Sequence, residues 1–237
     1  MASDADKILD YSSLPPVPVL DDVAESSLGT ESKIIDVPIL NKLLKIYTEQ
    51  VRRKDGDSTL DILFLHGQRF SSKNWLEIKS LQHTANWGYR AVAVDLPGYG
   101  KSPNTLEPEH DGEFLKSLIS VLGLGRPVIV SPSMSGGFSL AYLFDNPSSS
   151  TDRAVAYVPV APVLTSKFVS HFRTSQIPTL IVVGTKDVAI GQKSTADLKN
   201  LPNSFYAPIG GASHSCYLEN PDAWHRLLYH FLKHLKY

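Results

Sequence analysis

Five short, nearly continuous apolar runs constrain the fold of this chain more than any other feature. They span 60–65, 90–96, 128–130, 154–160 and 179–183. Such runs suit strands buried on both faces of a parallel sheet, whereas a sheet with one wet face alternates apolar and polar residues. Between them lie helical patterns. Trp75, Ile78, Leu81 and Gln82 make one, ending near Gly88; Phe114, Leu115, Leu118, Ile119 and Leu122 make another, ending at Gly123. A third begins at Ser135 and runs through Leu143, and a last one, Pro221–His234, carries Trp224, Leu227, Leu228 and Phe231. Alternating strand and helix predicts an α/β domain with a mostly parallel twisted sheet, right-handed crossovers and helices on both faces. Ahead of it, 34–39 and 44–51 read as a hairpin around Asn41 and Lys42, which adds antiparallel strands to one end of the sheet.

The chain has 237 residues, with 23 Lys+Arg against 24 Asp+Glu and a net charge of −1. That length is enough for one substantial core, and the charge balance argues against a nucleic-acid partner. A single cysteine forms no intrachain disulfide and no structural zinc site, so nothing indicates an oxidising compartment. No stretch approaches the roughly 18 apolar residues that cross a bilayer, and the start, Met1 to Lys7, is acidic and unlike a signal peptide. The expectation is a cytoplasmic protein with no membrane association. Residues 1–30 mix Asp4, Asp6, Asp10, Asp21, Asp22 and Glu25 with Ser and Pro and sustain no period. They read as a disordered acidic tail before a domain at 31–237; a partner-binding segment using Val17, Val19 and Leu20 is the other reading.

In open α/β sheets ligands bind beyond the carboxyl ends of the strands. There the chain places Ser133 after the 128–130 run, Asp187 after the 179–183 run and His214 after a further expected strand at 205–209, in the order of an α/β-hydrolase triad. A serine hydroxyl needs an imidazole to take its proton, and the imidazole needs a carboxylate to fix its tautomer. The serine must ride a sharp strand-to-helix turn, with small residues two before and two after it. Glycine is usual there; here Ser131 and Ser135 stand in both positions. Ser135 offers a second register, but the apolar run ends at Val130, which favours Ser133. The main-chain N–H groups of Gln68, after His66-Gly67, and of Met134 are the expected oxyanion hole. Arg69 is a candidate for an anionic substrate group, or for a structural salt bridge. Asp95, in Asp-Leu-Pro-Gly, reads as turn chemistry rather than as the acid. Cys216 reads as a buried free cysteine. His83, His225, His230 and His234 fall on helices, at solvated or core-edge positions. With no metal cluster and no phosphate-cradling loop, no bound cofactor is expected.

His66-Gly67-x-Arg69-Phe70-Ser71-Ser72, 95–100 (DLPGYG), 131–136 (SPSMSG), 158–162 (VPVAP) and His214-x-Cys216-Tyr217-Leu218 together resemble the α/β-hydrolase domain-containing protein 14 family. The resemblance covers about 33–235, and the S-x-S-x-S elbow is its most specific part. It implies an α/β-hydrolase fold, with Ser133 as nucleophile, Asp187 as acid and His214 as base. It also implies hydrolysis of simple acyl esters and transfer of acetyl from protein lysine to coenzyme A as acceptor. One branch is cytosolic and nuclear, with a transcription-factor partner; another has an N-terminal membrane anchor, and the expectation here is a likeness to the branch without it.

Two functions follow as expectations. The first is a serine esterase or acyltransferase acting on short acyl groups. The second is an α/β-hydrolase-fold module for protein–protein contact, motivated by the serines at both glycine positions and the acidic segment. Only 16 residues separate Pro162 from Thr179, where larger hydrolases insert a helical lid. The expectation is therefore a site with no lid domain, suited to a small acyl group on a larger carrier.

Overall fold

The computed structural model describes residues 8–56, 58–145 and 149–237. Eight strands form one sheet: β1 (Leu28–Ile39), β2 (Lys42–Arg53), β3 (Asp61–Phe64), β4 (Arg90–Val94), β5 (Val128–Pro132), β6 (Ala156–Val160), β7 (Thr179–Gly184) and β8 (Ser204–Ile209). Their order is β1-β2-β4-β3-β5-β6-β7-β8. β1 and β2 pair antiparallel, as do β2 and β4, and every pairing from β4 through to β8 is parallel. The helices are α1 (Asp22–Ser26), α2 (Ser72–Glu77), α3 (Ser80–Asn86), α4 (Asp111–Leu122), α5 (Gly136–Phe144), α6 (Ser150–Arg153), α7 (Val169–Phe172), α8 (Ile190–Leu198), α9 (Cys216–Glu219) and α10 (Pro221–His234).

The continuous apolar runs are explained by two cores, one on each side of the sheet. Successive side chains of a strand point to opposite faces. So Ile62 and Phe64 join Trp75, Leu81 and Trp224 from α2, α3 and α10, while Leu63 and Leu65 join Phe114, Leu140 and Leu198 from α4, α5 and α8. Ile62, Leu63 and Phe64 of β3, and Leu65 just past it, are fully buried. The α4 pattern ends as its sequence indicates: Gly123 takes φ +62° and its N–H closes on the Ile119 and Ser120 carbonyls, the left-handed stop that glycine adopts without penalty. Between β6 and β7 only a short 3-10 turn (Thr165–Lys167) and α7 intervene, so no lid domain is present among the described residues.

Three expectations are corrected. The pattern at 75–82 is two helices, because Lys79 adopts φ +58° and breaks the chain direction between α2 and α3. The hairpin turns at Leu40 and Asn41, with Leu40 at φ +52°, and β1 starts at Leu28 rather than near Lys33. The third correction concerns the acidic segment; of residues 1–30, 1–7 lie outside the described residues, and 8–30 are an ordered strap. Ile8 bridges to Tyr206 of β8, Leu9 N–H donates to the Tyr206 carbonyl at 2.8 Å, and Tyr11, Leu14 and Leu20 pack on the core. Lys79 pairs with Glu25 at 2.9 Å. The strap lies over other elements, so its apolar residues follow contact points and carry no period.

Candidate active site

Ser133, Asp187 and His214 leave β5, β7 and β8 at one edge of the sheet, and the structure brings them together. His214 Nε2 lies 2.8 Å from Ser133 Oγ, and its Nδ1 lies 2.5 Å from Asp187 Oδ2. A carboxylate only accepts, so Nδ1 carries the proton and the Nε2 lone pair faces the serine hydroxyl. Asp187 is buried, whereas the His214 side chain is 35% exposed. The carboxylate is thus shielded and the imidazole is reachable.

Ser133 adopts φ +51°. An L-residue in that region costs of order 1–2 kcal/mol, a strain that a tight strand-to-helix turn imposes. Ser135, the alternative nucleophile, has φ −64° and is fully buried, and its Oγ donates to the Pro132 carbonyl at 2.8 Å. It makes no hydrogen bond to His214 among the described residues. The loops that carry Asp187 and His214 approach closely because of Gly184: a Cβ there would stand 2.0 Å from the Ser213 carbonyl oxygen. Lys186 N–H to Ala212 O (2.9 Å) and Gly211 N–H to Thr185 Oγ1 (2.9 Å) join the same two loops. Lys186, beside Asp187, thus joins the two loops through its main chain.

Below the elbow, the serines at the two glycine positions have a use that sequence reasoning missed. Ser131 Oγ lies 3.0 Å from Ser135 Oγ and 2.7 Å from Ser139 Oγ, which lies 2.9 Å from Tyr157 OH. Ser135 spends its proton on the Pro132 carbonyl, so each bond has one possible direction: Tyr157 to Ser139, Ser139 to Ser131, Ser131 to Ser135. All four residues are buried, and burial pushes the Tyr157 hydroxyl pKa up, keeping its proton. Ser131 lies near the end of β5, Ser135 closes the turn and Ser139 lies in α5, so no single period joins them and the sequence carried no signal of the chain.

Gln68 and Met134 flank Ser133. At Gly67 a Cβ would lie 3.6 Å from Ser133 Cβ, and neither the Gln68 nor the Met134 N–H donates a hydrogen bond among the described residues. His66 holds this turn: Leu96 N–H donates to its Nε2 at 2.9 Å, so its Nδ1–H donates to the Gly67 carbonyl at 2.9 Å. Burial lowers the His66 pKa, keeping the ring neutral. Sequence reasoning read His66 only as part of the His-Gly signal.

A cavity of about 350 Å³ opens over Ser133, walled by Gly67, Arg69, Phe70, Ile190, His214 and Tyr217. Arg69 is exposed on its rim. The arginine ion pairs among the described residues belong to Arg53, Arg90 and Arg153, so Arg69 makes no structural salt bridge there. Another cleft, of about 640 Å³, lies on the β1–β2 hairpin among charged residues and holds none of these groups.

The remaining candidates stay outside the site. Asp95 is buried and accepts from Ser72 N–H and Lys101 N–H, both at 2.7 Å, the turn role expected. Cys216 is fully buried and its pKa is pushed up to about 12, which leaves an unreactive thiol. His225 corrects the expectation of a solvated or core-edge position: it is in the core, with Nε2 3.0 Å from Ser80 Oγ.

Residues 62–166 match the model of an alpha/beta hydrolase family. ABHD14B of Pongo abelii, named as a candidate protein-lysine deacylase, is 40% identical over 197 residues, 81% of this chain and 91% of that one. ABHD14A of Danio rerio is 39% identical over 180 residues, 74% of this chain and 65% of its own. Among solved structures, a CIB-like hydrolase of Thermoplasma acidophilum superposes with TM-score 0.76 at 22% identity, covering 87% of this chain and all of its own. The carboxylesterase CesB of Bacillus subtilis gives 0.67 at 18% identity, over 89% of this chain and 95% of its own. At these identities the last two speak to fold alone.

Proposed function

The chain belongs to the ABHD14 family of α/β-hydrolases, and from that premise we propose that it is a serine hydrolase of short acyl groups. The observation that carries this reading is the 2.8 Å approach of His214 Nε2 to the hydroxyl of Ser133, a residue held at positive φ. Ser133 Oγ attacks the acyl carbonyl and its proton passes to His214 Nε2. Asp187 holds the ring and stabilises the imidazolium. The main-chain N–H groups of Gln68 and Met134 receive the developing oxyanion. His214 then returns the proton to the leaving oxygen or nitrogen as the carbon–heteroatom bond breaks, leaving an acyl ester on Ser133. A second attack, by water or a thiol, loses its proton to His214 and frees the serine.

Acylated protein lysine as substrate is part of the proposal, supported by the name of the 40% identical relative. Coenzyme A as acceptor is also part of it: the unpaired guanidinium of Arg69 on the rim suits its phosphates. No described helix is long and apolar enough to cross a membrane, and a cytoplasmic or nuclear location completes the reading. The test is turnover of an aryl acetate and labelling by a fluorophosphonate. Ser133→Ala should lose both while Ser135→Ala keeps labelling; full labelling of Ser133→Ala sinks the assignment.

A further inference from the structure

The cavity over Ser133 has an apolar neighbour. A second cavity, of about 200 Å³, lies between the 162–166 segment and the start of α8, with Pro162, Leu164, Ala189 and Ile190 in its wall. Ile190 is the one described residue that lines both cavities. It opens α8 and is 37% exposed. Leu164 is 45% exposed and sits at φ +64°, so a large apolar side chain is held out of the core by an unfavourable backbone. The segment is tied to the nucleophile. Val163 N–H donates to the Ser133 carbonyl at 3.0 Å, and Gly136 packs so closely that a Cβ would stand 2.7 Å from the Val163 carbonyl oxygen. Lys193, also in the wall, is paired with Asp197 at 3.5 Å, so the cavity does not call for an anion.

We propose that Ile190 is a specificity-determining residue: its side chain partitions the Ser133 cavity from a second, aliphatic acyl-chain cavity and holds the enzyme to short acyl groups. The proposal rests on the serine-hydrolase reading above. An acyl chain on Ser133 that outgrows the first cavity meets Ile190. Without that side chain, its terminal methylenes reach the second cavity, where removal from water favours binding. The ligand class is an unbranched aliphatic acyl chain of about six to eight carbons, one methylene being worth roughly tenfold or more in such a pocket.

The experiment compares kcat/KM for p-nitrophenyl acetate, butyrate, hexanoate and octanoate on wild type, Ile190→Ala and Ile190→Phe, with fluorophosphonate labelling alongside. The hexanoate-to-acetate ratio should rise about tenfold in Ile190→Ala and fall in Ile190→Phe. Adding Ser166→Phe, an exposed position in the wall of the second cavity, to Ile190→Ala should reverse the gain. Ile190→Val should shift the ratio in the same direction by a smaller factor, so the ordering is readable even where Ile190→Ala folds poorly. An unchanged ratio in a variant that still labels at Ser133 overturns the partition alone. A wild type that no fluorophosphonate labels overturns the serine-hydrolase reading and the partition with it.

Discussion

His214 Nδ1 stands 2.5 Å from Asp187 Oδ2, across two loops 27 residues apart that Gly184 lets approach to contact. That bond decides which imidazole nitrogen faces Ser133, and so whether the hydroxyl has a base. Asp187→Asn can offer an N–H to Nδ1, which turns the lone pair away from the serine. Turnover of an aryl acetate should fall by about 10⁴-fold, with a thermal midpoint close to wild type. An unchanged kcat would remove Asp187 from the mechanism.

The buried hydroxyl chain makes a prediction about stability. Ser139→Ala removes the acceptor that stands 2.9 Å from the buried Tyr157 hydroxyl, which costs roughly 1–3 kcal/mol. Tyr157→Phe removes the donor itself and orphans no proton, at about 1 kcal/mol. The double variant should lose less than the two single losses combined, because the orphan disappears with the tyrosine. Urea midpoints of the four proteins measure this, and strict additivity would refute the chain.

Gly100 guards the Asp95 turn. It sits at φ +53°, and a Cβ there would lie 2.1 Å from Asp95 Oδ2, the atom that accepts Lys101 N–H. Gly100→Ala must therefore adopt a left-handed conformation and also push the carboxylate away. A loss of about 3 kcal/mol or more is expected, read from urea denaturation; a loss below 1 kcal/mol would contradict the packing.

His225 ties stability to pH. Burial and the neighbouring His83 push its pKa down to about 3, against an ordinary value near 6.5. Between these values the unfolded chain takes up a proton that the folded chain refuses, so stability is full above about pH 6.5 and falls towards pH 3. The loss approaches about 5 kcal/mol. Burial lowers His66 and His83 as well, and they add in the same sense. The thermal midpoint should drop between pH 7.5 and 5, and His225→Gln should flatten that slope. An equal slope in the variant would assign the effect elsewhere.

By itself the sequence determined the buried strands, the helical patterns of α4, α5 and α10, and the chain order of Ser133, Asp187 and His214. These follow from local chemistry: apolar runs with no wet face, glycine stops such as Gly123, and small residues around an elbow. The course of 8–30 was not legible, because a strap that follows the surfaces of other elements has no period of its own. Neither was the break at Lys79, a backbone state its side chain does not advertise. Which serine faces the histidine, where the protons of Ser131, Ser135, Ser139 and Tyr157 point, and which cavity lies behind Ile190 were decided by tertiary structure alone. Each depends on separations of a few ångströms between segments up to 81 residues apart. Periodicity carries no information about such distances; they are set when the two cores close on the sheet.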